Sequence, residues 1–474
     1  MKDFFKLKKN GTTALTELRA GLITFMTMSY IIALNPNLLT NFGAEGMELW
    51  NGVFLATCIA SAVGTICMGL LANLPFAMAP GMGLNTFFAA VTANIAAMTG
   101  FTYLKSFQTM LVIVLIEGII FITLSLLNVR EKIMKAIPPG IRLGIGPAIG
   151  LMLMEIGFGS NVSIFSENGG PFYAMRDFFG AVSAKSAYEQ MGSGYNSMVL
   201  AVVTMFVGLF VIAVLSHKKV RGAILYGMLC GSAVWWIGEA AFLHSNPFES
   251  LKSASFVPPF TDMANTTLFK LDFSGIADLG FFTVITLVIT FCIIDMFDTI
   301  GTLVGVASRS NMIDENGNMP HIKEALLSDA VGTVSGSLTG TSTVTTYAES
   351  ASGVEAGGRT GLAAITTGIL FFLCIFIAPI AAVIPPAATS SALIYVGVLM
   401  LTNLKKIDFS DITQLLPVAV MLIAMPVSDS IGNAIGLALI CYMVLKVCTG
   451  KAKDVSVLTY VLSAIFLFKF FVVF

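Results

Sequence analysis

Residues 281–306 form an apolar run long enough to cross a bilayer, and its middle carries two aspartates, Asp295 and Asp298. A charge at the centre of a lipid-exposed helix costs roughly 2.5–3.5 kcal/mol on insertion scales. Two in one helix require a protein interior or a wet cavity around them. Their i, i+3 spacing sets both side chains on one face, where Thr299 follows one turn after Asp295 and Thr302 one turn after Asp298. One face of this helix is polar, and it is the default place to look for function.

Only a polytopic membrane protein accommodates the rest of the chain. Of 474 residues, 56% are hydrophobic and 11% charged, with a mean hydropathy of +0.88, against roughly 25% charged residues in soluble domains. A net charge of −1 and the lack of a basic run give no argument for nucleic acid. The seven cysteines lie mostly inside apolar segments, without the paired spacing of zinc or redox motifs, and read as small hydrophobes. No metal or organic cofactor is expected. The start of the chain, with Lys2, Lys6, Lys8 and Lys9 and no hydrophobic core directly after them, reads as a cytoplasmic tail.

Apolar runs predict spans at about 18–40, 52–73, 83–97, 106–127, 139–157, 195–215 and 222–242, then 281–306, 322–338, 343–353, 360–382, 388–403, 411–426 and 429–447. Basic residues concentrate after even-numbered spans: Arg130, Lys132 and Lys135, then Lys218, Lys219 and Arg221, then Arg309, Arg359, Lys405 and Lys406, and Lys446 with Lys451. The loop 41–51 has none. Cytoplasmic loops are enriched in lysine and arginine, so both termini are expected on the cytoplasmic side of the cell (inner or plasma) membrane. Seven spans followed by seven more place the second half in the opposite sense, which predicts an inverted repeat. The stretch 455–474 is expected to lie in the interface.

Segments three and ten break the helical pattern in matching places. Ala79-Pro80-Gly81-Met82-Gly83-Leu84-Asn85 is poor helix material at membrane depth. Gly340-Thr341-Ser342-Thr343-Val344-Thr345-Thr346-Tyr347-Ala348-Glu349 reads as a short extended piece leading into a half-helix. Interrupted segments at corresponding positions of two halves point to a transporter's binding site, because half-helix starts carry unpaired N–H groups and partial positive charge. Glu349 and Asn85 sit at those starts. With Asp295 they offer two carboxylate acceptors and an amide, close to what a planar base with ring N–H and carbonyl groups requires. Tyr347 offers an aromatic face. Asp329 is expected to tie the ninth span to the eighth, and Glu355 to pair with Arg359.

The motifs Ala-Pro-Gly-Met-Gly-Leu-Asn at 79–85, Phe-Asp-Thr-Ile-Gly-Thr-Leu at 297–303 and Gly-Thr-Ser-Thr-Val-Thr-Thr-Tyr-Ala-Glu-Ser at 340–350 closely resemble the AzgA-like purine permeases of the nucleobase:cation symporter-2 class. The resemblance runs over nearly the whole chain. It implies an all-α membrane fold of 14 segments in two inverted repeats of seven, with short extended pieces in segments 3 and 10. A core domain (1–130 and 279–384) and a gate domain (131–278 and 385–474) follow from it, along with dimerisation through the gate. It also implies uptake of adenine, guanine or hypoxanthine with protons. Carried over residue by residue, it assigns the substrate-binding acids to Asp295 and Glu349 and the third-span asparagine to Asn85. Tyr347, Leu84 and Ala348 stand beside these as further substrate contacts, and Asp298, Asp329 and Thr302 as proton-coupling or supporting groups. An anion exchanger or channel on the same fold is the alternative, disfavoured by an acidic midplane. An intramembrane aspartyl protease is a further rival, without its usual Tyr-Asp and Gly-x-Gly-Asp contexts.

Overall fold

Inside a bilayer the backbone has no water to bond, so long apolar runs satisfy their own N–H and C=O groups as helices. The computed structural model describes residues 4–127, 138–159, 194–252, 255–309, 312, 319, 321–408, 410–428 and 431–472. Arg130, Lys132 and Lys135 of the charge pattern, and most of the 158–194 connection, lie outside the described residues.

The chain opens with α1 (Ala14–Met28), whose first turn is capped by the Thr13 side chain accepting the Thr16 N–H. It breaks at Ser29 and Tyr30 and continues as α2 (Ile31–Leu39). Next come α3 (Met47–Cys67), the strand β1 (Met78–Pro80), α4 (Met82–Thr99) and α5 (Tyr103–Leu126). Pro139 opens α6 (Pro139–Phe158), where proline's missing N–H is lost at no cost. Helices α7 (Gly194–His217) and α8 (Ala223–Gly238) follow, then two short ones, α9 (Phe260–Thr266) and α10 (Phe273–Leu279).

The second half contains α11 (Phe281–Arg309), α12 (Ile322–Thr339), the strand β2 (Val344–Thr346), α13 (Ser350–Glu355) and α14 (Gly361–Leu373). It closes with α15 (Pro386–Met400), α16 (Ile412–Ser428), α17 (Ile431–Cys448) and α18 (Val457–Val472). Pro386 opens α15 as Pro139 opens α6. Among the described residues, 8 helices are long and apolar enough to cross a bilayer, or 9 if α10 and the first part of α11, bent by 110°, form one span. The remaining segments are broken, shorter or more polar.

Packing falls mainly into two groups. Helix α12 lies against α3 and α5, and α14 against α1 and α3. In the other group α15 packs on α6, α7 and α8, and α16 packs on α6 and α17. The groups meet where α4 and α11 touch α6, α11 touches α17 and α2 touches α15. Helix α18 lies along α17, with the Phe466 ring filling the space over Gly436.

The strands β1 and β2 pair antiparallel, with Met78 opposite Thr346, Ala79 opposite Thr345 and Pro80 opposite Val344. The ladder is extended by Gly81 N–H to the Thr343 carbonyl (3.0 Å) and Tyr347 N–H to the Ala77 carbonyl (3.0 Å). Proline is tolerated at the end of a two-stranded ribbon because its edge needs no donor there. Neighbouring hydroxyls take up the other strand groups. Thr65 Oγ1 accepts from Met78 N–H (2.9 Å) and donates to its carbonyl (3.0 Å), and Ser350 Oγ accepts from Ala77 N–H (3.0 Å).

Arg359 departs from the expected pairing with Glu355. Its guanidinium donates to the carbonyls of Val354 (2.5 Å), which also accepts the Gly357 N–H, and of Gly358 (2.7 Å), in the turn that follows α13. The acid that meets this junction is the fully buried Glu17, which accepts the backbone N–H groups of Arg359 (2.8 Å) and Thr360 (3.2 Å). A carboxylate there satisfies donors at the start of α14 and opposes the helix dipole.

Candidate functional site

The strand pair brings the starts of α4 and α13 together, and the sequence-selected residues gather around that crossing. Helix α11 passes beside β2, so its polar face looks onto the same place. Accessibility sorts the acids. Asp295 and Asp329 are 0% exposed, whereas Asp298 and Glu349 are partly exposed and Ala348 is exposed. An exposed alanine between buried strand and buried helix marks open space next to Glu349.

Spacing puts Asp295 and Asp298 on one face of α11, yet their neighbours differ. Thr299 Oγ1 lies 3.0 Å from Asp295 Oδ1 and 2.9 Å from Asp329 Oδ1, which ties α11 to α12 through a buried hydroxyl. Asp298 is turned towards the strands. It accepts a hydrogen bond from the Thr345 hydroxyl, and its charge is felt by Glu349 and Asp329. A Cβ added at Gly81 would fall 3.3 Å from Asp298 Oδ2 and 2.7 Å from Thr345 Cγ2. Gly81 therefore leaves the room in which the Asp298 carboxylate approaches the start of α4.

Glu349 occupies the N-cap position of α13 without a side-chain capping bond, and accepts the phenol O–H of Tyr30 at 2.8 Å on Oε1. Asn85 is fully buried; its Nδ2 donates to the Pro80 carbonyl (3.2 Å) and its Oδ1 accepts from the Ser342 hydroxyl. The Tyr347 hydroxyl donates to the same Pro80 carbonyl at 2.5 Å. Asn85 and Tyr347 thus converge on the backbone kink before α4 and hold it in shape. Leu84 is 0% exposed and packs against Gly81, and Thr302 lies partly exposed one turn beyond Asp298. On the far side, Thr343 Oγ1 donates to Glu117 Oε2 at 2.7 Å, anchoring the strand to α5.

Several of these contacts are invisible in local sequence. Tyr30 and Glu349 are 319 positions apart, and Ser342 and Asn85 257 apart. The hydroxyl-rich 340–346 stretch was the available signal for Ser342 and Thr345. Tyr30 had none beyond its place at the end of the hydroxyl face formed by Thr24, Thr27 and Ser29. Chemically the site offers two carboxylates able to accept N–H groups, backbone donors at a half-helix start, and aromatic and aliphatic walls. It has the polarity of a receptor for a neutral, donor-rich ring.

Comparison with known proteins agrees with this architecture. A family model described as "Permease family" (Xan_ur_permease) matches residues 15–431. The adenine permease AdeP of Escherichia coli is 35% identical over 99% of this chain and 95% of its own length. The guanine/hypoxanthine permease PbuG of Bacillus subtilis is 36% identical over 99% of both chains. Among solved structures, the transmembrane domain of a cyanobacterial bicarbonate transporter, BicA, superposes with a TM-score of 0.62 at 16% identity, covering 90% of this chain and 97% of that one. At that identity the likeness is one of fold. The family match across nearly the whole chain and the apolar helices give one conclusion: this is a multi-pass membrane transporter, not an enzyme, and it belongs to the Xan_ur_permease family.

Proposed function

We propose that the protein imports purine nucleobases, hypoxanthine, guanine or adenine, together with protons. The observation that carries this reading is the convergence of Asp298 and Glu349 on the open space at the starts of α4 and α13. A purine presents N–H donors along one edge and ring nitrogens or a carbonyl along another. The two carboxylates match the donors, and the free N–H groups at the start of α4 match the acceptors. Permeases named for adenine and for guanine and hypoxanthine, at 35–36% identity over nearly the full length, support the substrate class.

The geometry supports a division of labour within α11. Asp298 and Glu349 hold the base. Asp295, fully buried and linked through Thr299 to Asp329, braces the helix behind them. Asn85 and Tyr347 shape the kink that presents the half-helix, and Leu84 and Ala348 border the ring.

Proton coupling follows from charge. Two carboxylates facing one another at membrane depth repel strongly, since little water screens them. A proton shared between them removes that repulsion and leaves one acceptor for the base. Proton and purine then bind as a unit and leave as a unit. Movement of the α6–α8 and α15–α17 group against the group carrying the site would expose it to each side in turn, the gate moving past the core. An anion would meet two carboxylates in this space, which disfavours the exchanger reading despite the shared fold.

Uptake of labelled hypoxanthine into proteoliposomes, competed by unlabelled adenine and guanine with and without a protonophore, ranks the substrates and checks the coupling. Glu349→Gln keeps the shape and removes the charge; it should cut uptake at least about tenfold or make it insensitive to pH. Full, pH-dependent uptake by this variant would sink the assignment of Glu349.

A further inference from the structure

Tyr30 sits at the break between α1 and α2, is 1% exposed, and places its phenol O–H on Glu349 Oε1 at 2.8 Å. Thr27, one turn earlier, reaches the Glu349 backbone carbonyl at 3.5 Å. The broken first span therefore touches Glu349 through both side chain and backbone. The other ionisable groups facing Glu349 are Asp298 from α11 and Tyr347 from its own segment, with Asp329 of α12 behind Asp298. Of these four, only the Tyr30 hydroxyl is a hydrogen-bond donor engaged on the Glu349 carboxylate, since Tyr347 spends its O–H on Pro80.

We infer that Tyr30 is a positioning residue for Glu349. It occupies Oε1, so that Oε2 is the oxygen presented to the substrate, and it sets the pH range over which Glu349 releases its proton. A phenol O–H bonds a carboxylate more strongly than it bonds the protonated acid, so Tyr30 favours the proton-free state. Without it, Glu349 keeps its proton to higher pH and loses its side-chain tether, leaving its own backbone N–H as a donor on the carboxyl. The consequence for uptake rests on the purine reading; the bond and its effect on the proton do not.

Two measurements on the full-length protein separate the two claims. In detergent and without purine, infrared difference spectra between acid and alkaline pH contain a carboxyl C=O band that Glu349→Gln removes. In Tyr30→Phe this band should move to higher frequency and persist to a pH about one unit higher, a tenfold change in proton affinity. Tyr30→His, which keeps an N–H donor at the same place, should restore part of the original pH range. In proteoliposomes, Tyr30→Phe should raise the KM for hypoxanthine about three- to tenfold with a smaller change in maximal rate, and should extend uptake about one pH unit towards the alkaline side. It should add nothing once Glu349→Gln is present. A Glu349 band with unchanged frequency and pH midpoint in Tyr30→Phe overturns the inference. If the wild-type protein takes up no purine, the purine reading fails, and the infrared band still decides the role of Tyr30.

Discussion

Asp295 and Asp298 differ by one helical turn and by everything that matters energetically. Asp295 is sealed between α11 and α12 on a hydroxyl shared with Asp329, while Asp298 reaches the space at Gly81 and Thr345. Asp298→Asn should therefore abolish uptake, about 10²-fold or more, while the protein still inserts and purifies. Asp295→Asn should show its effect first as lower yield and lower thermal stability, because it disturbs a buried network whose partners stay behind. Uptake normalised to the amount of purified protein separates the two. At Gly81, an added methyl meets Thr345 Cγ2 at 2.7 Å and crowds Asp298, so Gly81→Ala should raise the KM several-fold. The presence of acids at membrane depth was legible in the sequence. Which acid faces the open space was not, since spacing places both on one face and only the crossing of β2 and α12 divides them.

At the scale of elements, the helices were legible because each needs only its own apolar run, and the two broken segments because proline, glycine and hydroxyl clusters defeat the helix locally. Glu17 at the start of α14 and Tyr30 on Glu349 were not, since each joins positions more than 300 residues apart. Close packing shows the same long-range logic. A Cβ at Gly361 would lie 1.9 Å from the backbone oxygen of Gly69, a contact neither backbone can relieve, so α14 can approach the end of the second span only without a side chain there. Gly361→Ala should lower the yield of folded protein severely, as measured by size-exclusion chromatography in detergent.

The loop before α16 gives a pH test outside the membrane. The hydroxyl and N–H of Thr413 hold the Asp411 carboxyl below the usual range, and Asp411 lies 3.7 Å from Lys446 on α17. A carboxyl lowered in the folded state contributes stability above its unfolded value and loses it as pH falls through the folded value. Asp411→Asn should thus lower the Tm slightly at pH 7, and the difference should vanish as the pH falls through the lowered carboxyl range of the folded state.

For the whole molecule, two helical groups meet along α4, α11 and α2 on one side and α6, α17 and α15 on the other, and the candidate site lies beside that seam. Ile149 of α6 packs directly over Gly83, where an added Cβ would lie 2.9 Å from Ile149 Cδ1. The second group thereby roofs the start of α4. Ile149→Phe should impede the passage of the seam and reduce the maximal rate of uptake more than the affinity, read as a split between rate and KM. The central claim is that a proton gradient drives purine through this site. Its most direct measurement is labelled hypoxanthine accumulation in proteoliposomes with an imposed gradient, acidic outside, and no other ion gradient. Concentrative uptake that collapses on adding a protonophore and is lost in Asp298→Asn is the predicted result; uptake indifferent to the gradient, or displaced by bicarbonate rather than by guanine and adenine, would contradict it.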